Sequence, residues 1–491
     1  MTSRRTWAAA AVALAGCGSV PLAAGAGASL SPVRYELAVD PGLGRLTETV
    51  CSEGPWTDRV VSVHPEARVR LLSARRVRAD GAEEPIDVGA RGALAIPTRA
   101  LSPSDCLRLV LDVASPGGGM NGCLHSRGLV ACATSAFLVA AEPWQPTARH
   151  RVTVSLPRGM AVSPIFGEDE RGLYLDERSF RYVGYAAFGE LEVRALEVPG
   201  GCARVVVPRG TSLAESSHLG PWVARASLAS AMITGSAMAH DVAITAVPAP
   251  GSDAMPVLFG MAGRGTRPSV LAFVEATPTR GLETDWTLVH ELAHLAVPYV
   301  PSEDAWLSEG LATYQQEVLR ARAGMQSPED AWRAIDAGLA RGARDGTGAT
   351  LREESRNMHA SRAYARVYWG GAAIALLVDV ALRTEAESTL DARLARLRGR
   401  RDARMDAAAL LEAIDDERAL VRAIAARWLE DPAFPDTAAA YALLGLSHDR
   451  GGHLVFAESA LRQEIMNPVG PLSSNGPCRQ AIGAPDTRGF E

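Results

Sequence analysis

The sequence predicts an α+β fold, an antiparallel β-rich N-terminal domain followed by a largely helical C-terminal region, and three observations carry that expectation. The chain has 491 residues, more than one hydrophobic core usually serves. Short alternating apolar and polar runs, punctuated by Gly, Pro and Asp, fill the stretch from about 30 to 205. After about 284, nearly every segment has a helical period and is rich in Ala, Leu and Arg. Hydrophobic residues make up 47% and charged residues 22%, the composition of a globular protein rather than a disordered one. The formal net charge is only -6, so no nucleic-acid partner is expected.

Residues 1–29 read as an export leader. Arg4 and Arg5 precede the apolar run Trp7 to Ala15, and Leu14-Ala15-Gly16-Cys17 follows. That tetrad resembles the lipobox of bacterial lipoproteins, which implies a membrane anchor through a lipid on Cys17. The alternative is a secretory signal cut near Ala24 or Ala26, giving a periplasmic or secreted protein. No later stretch looks long and apolar enough to cross a bilayer. Beyond Cys17 stand Cys51, Cys106, Cys123, Cys132, Cys202 and Cys478, an even set that suits disulfides in an exported chain. Cys123 and Cys132 flank a short Gly-containing segment and form the expected bridge.

Within the β-rich domain, 30–205, the clearest strands are Leu107 to Val113 and Arg151 to Leu156. The next segment, 206–340, mixes Ala/Leu-rich helices with β-type runs at Pro256 to Phe259 and Ser269 to Val274. The second of these is the expected sheet edge for an extended peptide. A helical region, 341–466, and an irregular tail, 467–491, complete the chain. The Arg-rich run Arg393 to Arg404 reads as a solvated helix face, and His359 as a solvated loop histidine.

His290-Glu291-Leu292-Ala293-His294 carries the chemistry. Four residues turn an α-helix through roughly 400°, so the two histidines share a face and can hold one metal ion. Glu291 lies about 100° around, placed to touch a water on that metal without ligating it. Thr284 to Thr287 supply N-terminal capping and Pro298 a stop. Leu288, Val289, Leu292, Ala293 and Leu295 mark a buried helix, in which two histidines need partners. A catalytic zinc takes three protein ligands and keeps one open position. Downstream, the apolar run Trp306 to Tyr314 carries a single acid, Glu309, which would be costly to bury unless paired or metal-bound. The bland readings are a surface helix with solvated histidines and an exposed first-turn acid.

With Trp306-Leu307-Ser308-Glu309-Gly310-Leu311-Ala312, the motif resembles the gluzincin zinc metallopeptidases, specifically the aminopeptidase N and glycyl aminopeptidase-like families. That resemblance implies a thermolysin-like catalytic domain and one zinc per chain on His290, His294 and Glu309. It also implies Glu291 as general base and a peptide or protein substrate. The 14 residues between His294 and Glu309 are fewer than aminopeptidase N usually has. Val367-Tyr368-Trp369-Gly370-Gly371-Ala372-Ala373, followed by Leu376 to Arg383, resembles a glycyl aminopeptidase-like segment whose Tyr stabilises the oxyanion. Tyr368 inherits that role, with Tyr364 as its rival. The Gly-x-Met-Glu-Asn strand by which aminopeptidase N grips a free amine is not found. Glu275 and Glu283 stand in the corresponding segment and neither matches, so exopeptidase action is not implied. The competing reading is a non-catalytic surface lipoprotein that uses the peptidase fold to bind peptides or a partner. A third is an envelope protein with a closed structural zinc.

Overall fold

Val33, Tyr35, Leu37 and Val39 alternate with polar or small neighbours, and the strand Val33–Val39 buries all four. The computed structural model describes residues 32–467 apart from 89–92, 116, 127, 144–147, 234, 236–240 and 251–254, and then 472–474 and 478. The leader with Cys17 and most of the 467–491 tail lie outside the described residues. Val33–Val39 sits inside an eight-stranded sheet, antiparallel to Arg45–Ser52 and parallel to His150–Ser155. Among the described residues the other strand pairs of this domain are antiparallel. Leu107, Leu109 and Leu111 of Cys106–Asp112 turn into the same core as Phe137, Phe166, Phe180 and Phe188. Smaller sheets of three and four strands add residues such as Val60, Ile96 and Val130 to that core.

The six cysteines form three bridges. Cys51–Cys106 joins residues directly opposite in neighbouring strands, and Cys123–Cys132 spans a hairpin, as expected. Cys202–Cys478 joins positions 276 residues apart.

A five-stranded sheet underlies the second half of the molecule. Its order is Leu191–Val198, Gly201–Pro208, Asp241–Ala249, Ser269–Glu275 and Val257–Gly263, with the inner pairs parallel and the outer pairs antiparallel. Two expectations change here. The strands from 191 to 208 belong to this sheet, so the junction falls near 190 rather than 205. Ser269–Glu275 is interior, and the edge strand is Val257–Gly263. Alternation reports a strand with one buried face; it carries no information about which sheet accepts the strand.

Helices cover this sheet. The His helix, Thr287–Ala296, stops just before Pro298, as its sequence foretells. Its first N–H, on Thr287, donates to Asp285 Oδ1 at 2.7 Å, and burial pushes that carboxyl up to about 6. The Glu helix, Ala305–Arg322, follows after a short turn at Ser302–Asp304 and packs along the Tyr helix, Tyr364–Glu385. One continuous core runs from Val198 to Met466, so the stretches 206–340 and 341–466 fold as one body. At 22 residues, the Tyr helix is long and apolar enough to cross a bilayer, contrary to the expectation above. Yet 83% of its apolar window is buried inside the protein, which makes it a core helix.

The Glu and Tyr helices touch backbone to backbone at Gly310 and Gly371. A Cβ on Gly371 would overlap the carbonyl oxygen of Trp306 and lie 2.8 Å from Gly310 Cα. Neither contact can relax without separating the helices. Gly371→Ala is therefore expected to lower unfolding stability by about 2–3 kcal/mol, the cost of overpacking a tight core. A urea midpoint equal to that of the parent protein would refute this close-packing account.

Candidate metal centre and active site

The helix crossing at Gly310 fixes the residue beside it. Glu309 points from the Glu helix toward His290 and His294 on the His helix, and the three donor atoms converge. His290 Nε2 lies 3.2 Å from His294 Nε2 and 3.2 Å from Glu309 Oε2, and His294 Nε2 lies 3.4 Å from Glu309 Oε2. Bonds of about 2.0–2.1 Å to a tetrahedral zinc would put ligand atoms roughly 3.3 Å apart. The donor set therefore fits zinc in size, in chemistry and in leaving a fourth position toward the cavity. Among the described residues this is the cluster of metal-ligating side chains that the structure brings together.

The surroundings hold these donors in place. His290 Nδ1 is 2.8 Å from Gln316 Oε1, about two turns beyond Glu309 along the Glu helix, so Nδ1 carries the proton and Nε2 offers its lone pair. The His290 ring lies between the Trp286 ring, edge-on at 5.7 Å, and the Tyr368 ring, parallel at 6.0 Å. Burial alone would raise the Glu309 carboxyl, but His294 and His290 hold it well below the usual carboxylate range. It is the ionised form that ligates.

Glu291 lies against the edge strand at Gly260, where a Cβ would come within 2.8 Å of Glu291 Cγ and 2.9 Å of Thr287 Cγ2. Gly260 thus lets the edge strand approach the His helix closely enough for strand and carboxylate to share one cavity. Burial pushes the Glu291 carboxyl above its ordinary value, with His290 and His294 pulling the other way. Such a carboxylate is a better proton acceptor than a solvated one. Burial, then the charges of Glu309 and Glu291, push the Tyr368 phenol well above its ordinary value, so it remains a donor.

A cavity of about 200 Å³ opens over these groups. The N-terminal domain walls it with residues such as Asn121 and Phe180, and the edge strand walls it from Phe259 to Ala262. His290, Glu291, His294, Glu309 and Tyr368, all expected from the sequence, line it together. Tyr364, the rival for Tyr368, is not among the lining residues. His359 is, and it stands on the helix Leu351–Ser361 rather than on a loop, with Nδ1 3.4 Å from the Tyr364 hydroxyl. Glu275 and Glu283 do not line the cavity, and Glu283 is held by His218 at 2.8 Å and Arg225 at 3.3 Å. The strand beside the His helix reads Val-Leu-Phe-Gly-Met-Ala-Gly and bears no acid.

No family model and no curated protein sequence matches the chain. Solved structures match in fold. An aminopeptidase N family protein from Idiomarina loihiensis is 12% identical with a TM-score of 0.68, over 84% of this chain and 78% of that one. The M1 zinc metallopeptidase from Deinococcus radiodurans is 19% identical with a TM-score of 0.53, over 86% of this chain and 99% of that one. Yeast LTA4 hydrolase, solved with bestatin, is 14% identical with a TM-score of 0.52, over 85% of this chain and 71% of that one. The α+β architecture of this chain is therefore that of gluzincin aminopeptidase-like structures.

Because Gln316 orients His290, Gln316→Leu is expected to weaken zinc binding roughly 10–100-fold in competition with a chelator. Glu317 keeps Arg320 and Gln326 as partners in that variant, so the helix should stay folded. An unchanged zinc affinity would remove Gln316 from the account of the metal centre.

Proposed function

We propose that this chain is a zinc-dependent peptidase, with one zinc per chain on His290, His294 and Glu309. The observation that carries the reading is the set of three donor atoms at tetrahedral spacing, facing a cavity that also holds a carboxylate outside that set and a phenol. A zinc ion there supplies a Lewis acid and acidifies a water.

The protein's own groups divide the rest of the work. The Glu291 carboxylate takes the proton of the attacking water and returns a proton to the leaving amine nitrogen. The Tyr368 hydroxyl donates a hydrogen bond to the oxygen that becomes negative as the carbonyl is attacked. Val257–Gly263, with one side unpaired in the sheet among the described residues, offers main-chain groups along which an extended peptide can lie. The edge strand's lack of an acid favours a mode that does not depend on a free amine.

Export forms part of the proposal. Three disulfides fit an oxidising compartment, and a lipid on Cys17 would hold the protein at the bacterial cell envelope.

Glu291→Gln is expected to keep one zinc per chain, by elemental analysis, while turnover of a peptide library falls roughly a hundred- to ten-thousand-fold. Tyr368→Phe is expected to lower kcat roughly a hundredfold or more with little change in zinc content. Full activity in Glu291→Gln would sink the base assignment. A zinc-loaded parent protein that cuts nothing would favour the binding reading instead.

A further inference from the structure

The edge strand ends at Gly263, and the next residue, Arg264, reaches into the cavity. One of its terminal nitrogens donates to the carbonyl of His294, at the end of the His helix, and the other donates to the carbonyl of Arg401 at 3.0 Å. Both acceptors are main-chain oxygens. No ion pair joins Arg264 to a carboxylate among the described residues, and its guanidinium has further N–H groups to offer.

A second cation faces the same aromatic ring. Tyr299, which lines the cavity, has the Arg264 guanidinium 6.0 Å and the Arg404 guanidinium 5.6 Å from its ring centre. Arg404 is exposed, and among the described residues it too forms no ion pair with a carboxylate. Of the two acids nearest in sequence, Asp402 pairs with Arg178 at 3.2 Å and Asp406 accepts from the Ala409 N–H at 2.8 Å. The run Arg393 to Arg404 is thus not one solvated helix. Its helix ends at Ala395, and the remainder turns back against Tyr299, with the Tyr299 N–H bonded to the Ala403 carbonyl. Among the described residues, the carboxylates lining the cavity are Glu291 and Glu309, both already assigned. A bound zinc would add further positive charge.

We propose, resting on the peptidase reading, that this cavity selects peptides carrying an acidic side chain close to the scissile bond, received by Arg264 beside Tyr299, with Arg404, which stands outside the cavity lining, adding its charge at the same ring. A guanidinium presents paired donors that match a carboxylate, and the chain uses this cation throughout, since all 50 of its basic residues are arginine. A free α-ammonium next to the scissile bond would meet cations and no spare acid. Acetylated or internal sequences should therefore be cut better than the same sequences with a free terminus.

The test uses the zinc-loaded protein and N-acetylated peptide pairs that differ only by Glu or Gln near a bond first located by library digestion. The Glu peptide is expected to have kcat/KM at least about tenfold above its Gln twin, with the ratio shrinking at about 0.5 M salt. Arg264→Gln is expected to collapse the ratio, and Arg404→Gln to lower it. Because Arg264 also holds the end of the His helix, zinc content is measured alongside, and the exposed Arg404 variant decides. Equal rates for the two peptides, or a preference for Gln or a basic residue, would overturn the inference while leaving the peptidase reading intact. Absence of any cleavage by the zinc-loaded protein overturns both.

Discussion

The crossing of the Glu and Tyr helices at Gly310 and Gly371 is the constraint on which the site depends. With no side chain between them, the two backbones meet, and the residues around the crossing inherit its precision. Glu309 precedes one glycine, and Tyr368 stands three residues before the other, on the same helical face. A bulkier crossing would move the third metal donor and the phenol away from the His helix together. Two imidazole nitrogens and a carboxylate oxygen meet at 3.2–3.4 Å. They are held there by helices whose separation cannot vary.

The rotation of the Glu helix about its own axis is fixed from behind. Tyr314 donates to Asp379 at 3.0 Å, Arg383 pairs with the same carboxylate at 3.1 Å, and Arg322 pairs with Asp391 at 2.9 Å. All of these groups are buried or nearly so, and such networks add little net stability while being costly to break. A helix that turned by one residue would strand several charges in a low-dielectric interior. The face opposite this network therefore always presents Glu309, and Gln316 beyond it, to the two histidines.

How much of this could be read in the sequence follows from what each part depends on. His290, Glu291 and His294 were legible because helical geometry converts their spacing directly into a shared face. Glu309 was legible as the one acid in an apolar run, and Tyr368 through a segment resemblance. Gln316 and Gly260 were not, because each acts on a partner supplied by another element, and neither residue type announces that role. The strands from 191 to 208 and the interior strand at Ser269 show the same boundary. Their alternation was visible, but their neighbours were chosen by tertiary packing. The arginines after Ala395 look like a solvated stripe until Tyr299 is placed beside them.

The bridge between Cys202 and Cys478 closes a covalent ring around nearly the whole catalytic body. Cys202 lies on the second strand of the five-stranded sheet, and beside that strand the Gly200 N–H bonds to the Ser474 carbonyl at 2.8 Å. Every residue that touches the reacting bond in the scheme above lies inside that ring. A single cut at any loop between the two cysteines would open the ring without releasing a fragment. The chain can thus be nicked once and remain one molecule, with His290, His294 and Glu309 still tethered to a common frame.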